Sequence, residues 1–390
     1  MRAYLDYAST TPLDERVLEE MLPWLKEEFA NPTGIYSLSQ RARQAVEGAR
    51  ERVAEFIGAS PAEVVFTSSG TEACNLAIKG YALANRRQGN RIVVSAVEHM
   101  AVLEACRALE KHGFEVVVVG VDEHGCVKPE ELEKAVTGET LLVVVQLASN
   151  EIGTIQNIRE LAEVAHERGA AFFCDACIAN GSVPVDVDAL DVELLAMSAH
   201  KMYGPKGVGA LYVAEGTRIE PLIHGGGQER GYRSGTENVP GIVGFGRACE
   251  IAAEEMEAEG ERIRRMRDRM VRRVMQEIED VRLNGHPERR LPGNANFAIA
   301  YIEGESLVLE LDFAGVSAST GSACTSPTLE PSHVLTAIGL SKAQAHGSLR
   351  VTLGRFTTEE EVEHFLEVLP GVVERLRRIS PFKRGGEEYV

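Results

Sequence analysis

Lys201 lies just past an apolar run, in Leu194-Leu195-Ala196-Met197-Ser198-Ala199-His200-Lys201-Met202-Tyr203-Gly204-Pro205-Lys206-Gly207. The run reads as a strand entering a Gly/Pro turn, and α/β proteins commonly place cofactor chemistry at such strand ends. A lysine amine that is partly desolvated, or has cationic neighbours, loses its proton and attacks a carbonyl. A surface lysine after a strand has the same local sequence, so other residues must decide. Thr67-Ser68-Ser69-Gly70-Thr71-Glu72 follows a strand-like run and precedes a helical one. Small residues expose backbone N–H groups at a helix N-terminus and hydroxyls add donors, which suits a phosphate. An ordinary cap on Ser69 or Thr71 uses the same residues. Asp175 ends the run Ala171 to Cys174. A carboxylate there can cap the next turn, or pair with a protonated ring nitrogen, as in pyridoxal chemistry, where the pair keeps the ring an electron sink. His99, in Val97-Glu98-His99, is again just past a strand. It can stack on a flat ring and move protons, or sit satisfied in the interior. Cys324 lies in Ala318-Ser319-Thr320-Gly321-Ser322-Ala323-Cys324-Thr325-Ser326-Pro327. Such small, polar, flexible surroundings suit an exposed loop, from which a thiol can reach a bound substrate and carry a sulfur atom away.

The elements that must position these residues show in the hydrophobic pattern. Strand-like runs are Val64 to Thr67, Ile92 to Ser95, Val116 to Val119, Leu142 to Val145, Ala171 to Cys174, Leu194 to Met197 and Val208 to Val213. Helical spacing separates most of them, near 71–85, 100–112, 129–136 and 157–168. Continuous apolar strands alternating with helices argue a mostly parallel sheet covered on both faces. Helices are also expected over 14–30 and Ser39 to Ile57, and a long charged one over 240–280. Beyond it, strands (Phe297 to Tyr301, Leu349 to Leu353) mix with helices (305–313, 358–378). The expected fold is α/β: a large domain with a mostly parallel seven-stranded sheet covered by helices, plus a smaller α+β C-terminal domain. Residues 1–13 are expected to form an arm packing with the small domain, 14–259 the large domain, and 260–390 the small domain carrying the Cys324 loop.

A chain of 390 residues exceeds a typical single core, which agrees with two domains. The formal net charge of −18 argues against nucleic acid and against an anionic membrane surface, since both need a basic face. No apolar run approaches the roughly 20 residues of a membrane span, and the start MRAYLDY lacks a basic-then-apolar leader pattern. Seven scattered cysteines, an odd number, suit a reducing cytoplasm. Cys174 and Cys177 stand three apart on a strand and would point to opposite faces, so no metal set is expected there.

Together these residues carry a resemblance that spans about Tyr4 to Pro381. The motifs are Tyr4-Leu5-Asp6-Tyr7-Ala8, Ser198-Ala199-His200-Lys201, His224-Gly225-Gly226-Gly227-Gln228-Glu229-Arg230-Gly231, Arg233-Ser234-Gly235-Thr236, Gly321-Ser322-Ala323-Cys324 and Ser348-Leu349-Arg350. In this order they resemble the cysteine desulfurases of the NifS/IscS type, in the class V aminotransferase group with fold type I. The resemblance implies that Lys201 holds pyridoxal 5′-phosphate and later moves a proton. It implies that Asp175 pairs with the ring nitrogen and that His99 stacks on the ring and takes part in catalysis. Gly70, Thr71, Ser198 and His200 would hold the phosphate, with Thr236 arriving from the partner of a homodimer. Arg350 would grip the carboxylate of L-cysteine, with Asn150 nearby. Cys324 would take the sulfur as a persulfide, leave L-alanine, and pass the sulfur to an iron–sulfur scaffold or other acceptor protein. The tail Ser380-Pro381-Phe382-Lys383 resembles the region that docks such a scaffold.

Two departures matter. The family usually reads Asp-Ala-Thr-Gln or Asp-Ala-Ala-Gln where this chain has Asp175-Ala176-Cys177-Ile178. The glutamine donates a hydrogen bond to the ring's phenolic oxygen, and Ile178 cannot; Asn180 lies two positions on. Tyr36 stands where a histidine is frequent. Selenocysteine lyase or cysteine sulfinate desulfinase activity is the enzyme alternative. A cofactor-poor, scaffold-binding protein is the alternative of a different class.

Overall fold

The computed structural model describes residues 2–321 and 331–381. An N-terminal arm contributes β1 (Ala3–Tyr4). The alternating region gives β2 (Val64–Thr67), β3 (Arg91–Ser95), β4 (Glu115–Val119), β5 (Thr140–Val144), β6 (Ala171–Asp175), β7 (Leu194–Ser198) and β8 (Gly209–Val213). These seven form one sheet in the order β2-β8-β7-β6-β5-β3-β4. All pairings are parallel except the two made by β8, which runs against β2 and β7. The expected large sheet is therefore present.

Both faces of the sheet's central strands are dry. Val93, Val143, Phe172 and Leu195 enter one apolar layer, while Ile92, Leu142, Phe173 and Leu194 enter the other. All eight are fully buried. Burying each such side chain is worth about 1.5–3 kcal/mol, so the sheet's position is strongly specified.

The second body contains β9 (Val281–Asn284), β10 (Asn294–Ile299), β11 (Val316–Ser317) and β12 (Ser348–Thr352). Three of them make an antiparallel sheet, β12-β10-β9. β11 instead pairs in parallel with β1, so the arm is sewn into this body. Helices Gly304–Phe313 and Glu359–Ile379 supply Leu311 and Phe365 to the core formed around Phe297 and Leu349. The strand expected from Phe297 begins earlier, at Asn294, because its asparagine amides find acceptors inside. Asn284 Nδ2 donates to Asn296 Oδ1 at 2.8 Å, and Asn296 Nδ2 donates to the Glu151 carbonyl at 3.2 Å. Strand β9 escapes the sequence pattern because only Val281 and Leu283 alternate among polar residues.

One helix spans both bodies. Val239–Glu277 is 39 residues long, about 58 Å at 1.5 Å per residue. Its first half buries Ile242, Phe245 and Ala248 against the large core, and its second half buries Met266, Met270 and Val274 in the small one. Gly260 lies inside this helix, which continues without a break. The approach to helix Ser37–Phe56 is close: a Cβ on Gly246 would lie 2.8 Å from the Ala49 Cα.

A buried ion pair fixes the loop after β8. Arg50 donates to both carboxylate oxygens of Glu229, at 2.7 and 2.8 Å, and the two side chains are only 4% and 3% exposed. Glu229 Oε2 also accepts from the Phe66 amide at 2.8 Å, which ties this loop to β2. Removing one partner leaves a buried charge uncompensated. We expect Glu229→Ala to cost about 3–5 kcal/mol, and the paired replacement Arg50→Met/Glu229→Leu to recover much of it. Denaturant midpoints of the three proteins check this; equal losses in the single and double variants would contradict it.

Candidate active site

Strands β2, β3, β6 and β7 share one direction, so their carboxyl ends lie along one edge. The chain leaves that edge at Thr67, Ser95, Asp175 and Ser198. Just beyond lie Ser69 to Thr71, His99, Cys177 and Lys201. Register brings two of these ends together, because Thr67 and Ser198 both pair with Gly209 of β8. A side chain on Gly209 would meet the Ser69 backbone at 2.7 Å. Glycine thus lets the loop after β2 lie against the start of β8.

A cavity of about 270 Å³ opens at this edge. Gly70, Thr71, His99, Asn150, Asp175, Ser198, His200, Lys201 and Arg350 all line it. Nine of the eleven site residues read from sequence thus meet in one place. Thr236 does not line the cavity and is exposed. Cys324 lies outside the described residues, as does the Phe382-Lys383 part of the tail. Ile178 lines the cavity, whereas Asn180 is fully buried and does not.

Each wall has its own support. Helical turns run from Gly70 to Asn85, as Gly70–Asn75, a wide π segment Leu76–Gly80, and Tyr81–Asn85. Ser69 caps this run by accepting from the Glu72 amide at 3.1 Å. Arg233 of the loop after β8 pairs with Glu72 at 2.8 Å, which braces the same turn. His99 caps helix Met100–Glu110: its Nδ1 accepts from the Ala101 amide at 3.1 Å. Burial lowers the His99 pKa, with Lys201 and His333 adding to the effect and Asp175 opposing it. A neutral ring whose Nδ1 is an acceptor carries its proton on Nε2. In this arrangement His99 presents an N–H donor at Nε2 rather than a free base.

Behind it, Glu98 is fully buried and accepts from the Gln146 amide at 2.8 Å. Desolvation pushes its carboxyl well above the carboxylate range. Burial also brings His200 down to about 4, with Lys201 and Lys206 contributing, so the ring is neutral at pH 7. Its Nδ1 lies 3.1 Å from Thr10 Oγ1.

The N-terminal arm supplies groups that sequence reasoning missed. Lys201 Nζ donates to the carbonyls of Ala8 and Ser9, at 2.5 and 2.8 Å. Arg350 Nη2 donates to Asp6 Oδ1 at 2.9 Å and to Ser9 Oγ at 2.8 Å, and its Nη1 to the Asn150 carbonyl at 3.2 Å. The Asp6 of the Tyr4-Leu5-Asp6 motif was the available signal. Arg350 is thus held from three sides, and an incoming carboxylate meets a guanidinium already oriented. Glu151, next to Asn150, was also missed. It is buried, and a Cβ on Gly321 would lie 2.1 Å from its Oε1. Desolvation raises its carboxyl to about 7, against opposing effects from Ser332 and Arg350.

Comparison with known proteins agrees with this geometry. The class-V aminotransferase family model matches residues 3–365. The chain belongs to the class-V aminotransferase family. It is 52% identical over 381 residues to the cysteine desulfurase IscS 1 of Archaeoglobus fulgidus, covering 98% of this chain and 99% of that one. It is 53% identical to the cysteine desulfurase IscS of Dictyoglomus turgidum, covering 98% and 97%. A solved NifS-like protein superposes with a TM-score of 0.91 at 39% identity, covering 96% of this chain and all of the other.

The family's cofactor, pyridoxal 5′-phosphate, fits the residues present. Ser198 Oγ is buried without a protein partner and belongs to the lining, where a phosphate would satisfy it. Asp175, also on the lining, supplies a carboxylate for a ring nitrogen, and Lys201 the amine for a carbonyl. Ile178 lines the cavity and offers no donor at the position of the usual glutamine. Restoring a hydrogen bond to a charged acceptor is worth roughly 1.5–3 kcal/mol. Ile178→Gln should therefore lower the dissociation constant for the cofactor by about ten- to a hundredfold. Titration followed by visible absorbance measures it, and an unchanged constant would refute the assignment.

Glu151 gives a pH signature. Its folded-state pKa, about 7, lies above its ordinary value of 4.5. The folded chain therefore binds a proton more tightly than the unfolded chain. That contribution to stability is complete below pH 4.5 and is lost as pH rises through 7. Glu151→Gln should gain stability over the unaltered protein between pH 5 and 8, by up to about 3 kcal/mol. Urea unfolding at the two pH values checks this. A gain that is the same at both would show that Glu151 does not titrate in this window.

Proposed function

We propose that this protein is a pyridoxal-phosphate-dependent cysteine desulfurase. It converts L-cysteine to L-alanine, transfers the sulfur to Cys324 as a persulfide, and supplies iron–sulfur cluster or thio-cofactor assembly. The observation that carries this reading is the single cavity that gathers Lys201, Asp175, His99, Ser198 and Arg350. The names of the relatives, cysteine desulfurases over nearly the whole chain, agree with it. The nine lining residues also weigh against a cofactor-poor binding protein.

When bound, the cofactor withdraws electrons from the substrate's Cα. The protein's groups do the rest. Arg350 and Asn150 hold the substrate carboxylate. Lys201, released from its carbonyl, carries the Cα proton. The His99 Nε2–H can donate a hydrogen bond to the sulfur that changes hands. Cys324 attacks that sulfur as a thiolate: the Sγ–S bond forms as the substrate's C–S bond breaks, and L-alanine leaves after protonation.

The working unit of this proposal is a homodimer in which Thr236 completes the partner's phosphate site. Thr236 is exposed on its own chain, and so are Phe29 (78%), Ile35 (95%) and Tyr36 (56%), an apolar group suited to a subunit contact. The acceptor is a scaffold or other sulfur-accepting protein. No helix among the described residues is long and apolar enough to cross a membrane, in keeping with a cytoplasmic enzyme. Residues 14–259 serve as the cofactor domain and 260–390 as the domain carrying Cys324, with the long helix joining them.

The test is the visible spectrum before and after L-cysteine, with sulfide and alanine assayed together. The unaltered protein should be yellow, shift on addition of cysteine, and release both products. Cys324→Ala should keep the colour and lose sulfide release, and Lys201→Ala should lose both. A colourless protein that stays so after added cofactor would overturn the proposal.

A further inference from the structure

The wall of the cavity next to Asp175 holds two thiols that the proposed reaction does not use. Cys177 follows Asp175 by two residues, and its amide donates to Asp175 Oδ1 at 3.0 Å. Cys74 comes from a different element, the first helical turns after the Ser69 cap. One ligand atom from each of Cys74, Asp175 and Cys177 lies within 4.8 Å of the other two. All three residues line the cavity. We propose that they form a binding site for a thiophilic divalent cation of the zinc type, and that this cation and the cofactor occupy the cavity in alternation.

The donor chemistry favours such an ion. Two sulfurs and one carboxylate are a common zinc set, with distances of about 2.3 Å to sulfur and 2.0–2.2 Å to oxygen. Tetrahedral geometry at those lengths puts two sulfurs about 3.8 Å apart, so the cluster needs to contract by no more than about 1 Å. Three protein ligands with a fourth position facing a cavity is the form of an open zinc site. The fourth ligand is water from the cavity.

Binding changes the protonation of the site. In the metal-free protein both thiols are protonated. The bond with Cys177, then burial and the charge of Asp175, raise Cys74 well above the usual thiol range. The bond with Cys74 favours the Cys177 thiolate, but burial and Asp175 outweigh it and place the thiol at about 11. Direct coordination to a dication stabilises the thiolates against burial and the neighbouring carboxylate, and both protons leave to solvent on binding. The assembled site, two thiolates and a carboxylate with one dication, carries one net negative charge beside Lys201.

Cys174 takes no part. It lies in the apolar layer on the opposite face of the sheet from Cys74, as the spacing of Cys174 and Cys177 predicts. The absence of a metal set expected from that spacing concerned Cys174 with Cys177. The fold replaces Cys174 with Cys74, a hundred residues earlier in the chain. Asp175 cannot serve a metal and a ring nitrogen together, which makes the two occupants exclusive. This part of the inference rests on the cofactor reading of the cavity.

The full-length protein is stripped of cofactor with hydroxylamine, treated with chelator, given zinc, and passed through a desalting column. One zinc per chain should remain by atomic emission. Cys74→Ser and Cys177→Ser should lose it, and Cys174→Ser should keep it. The cofactor-loaded protein should take up none. Zinc-loaded protein should not develop the visible cofactor band until chelator is added. On the unaltered chain, cadmium should give an ultraviolet thiolate charge-transfer band that cofactor loading abolishes, a readout independent of how the variants fold. A stripped protein that emerges metal-free and shows no cadmium band overturns the site, and so does zinc retained by the Cys74→Ser/Cys177→Ser double variant. Zinc taken up equally by the cofactor-loaded protein overturns the alternation. Return of the visible band in metal-free buffer checks the cofactor reading separately.

Discussion

A parallel strand buried on both faces can present polar chemistry only at its ends. That constraint organises this protein. The interior of the large sheet is closed to charged groups by Val, Leu and Phe on both sides. Its carboxyl edge is where the ladder stops and backbone groups need other partners. Strands β2, β3, β6 and β7 all reach that edge, and each is followed within a few residues by a cavity-lining side chain. The antiparallel strand β8 strengthens the arrangement. It places Thr67 and Ser198, from distant parts of the chain, opposite the same glycine.

The edge alone does not make the site, because Arg350 belongs to the other body. The N-terminal arm joins the two. It pairs with β11, and the Ala8 amide donates to Thr352 Oγ1 at 2.9 Å, so the arm is fixed to the small sheet. Its carbonyls at Ala8 and Ser9 then hold the Lys201 amine, while Asp6 and the Ser9 hydroxyl hold the Arg350 guanidinium. Asp6, Ala8 and Ser9 thus orient a lysine from one body and an arginine from the other. Backbone carbonyls of the arm hold the amine, and two of its side chains hold the guanidinium.

Much of this was legible beforehand for a physical reason. Buried parallel strands must be continuously apolar, so all seven strands of the large sheet show in the pattern, with ends correct to a residue or two. Lys201, Asp175 and His99 could be found because each follows such a run directly. The small sheet was harder to read. Strand β10 is made partly of asparagines that pair internally, and β9 alternates only twice, so neither resembles an apolar strand. Asp6 and Ser9 sit in an arm with almost no secondary structure of its own, and their partners lie more than 340 residues away. No local signal could announce that contact. Glu98 and Glu151 were missed for another reason: a glutamate in sequence implies a solvated charge, and only the fold shows these two to be buried.

Burial also sets the proton state of the cavity, and with it the chemistry available. Desolvation favours neutral forms in both directions, lowering histidines and raising acids and thiols. His99, His200, Glu98, Cys74 and Cys177 all move that way. The amide of Ala101 then decides which His99 nitrogen holds the remaining proton, by occupying Nδ1. The sequence marks His99 as a histidine beside a ring site. Its role as an N–H donor follows from a helix cap and low polarity, neither of which is a property of the residue itself. The same reasoning applies to Cys177. Buried beside Asp175 it is a protonated thiol, a state set by burial and the neighbouring carboxylate rather than by the residue type.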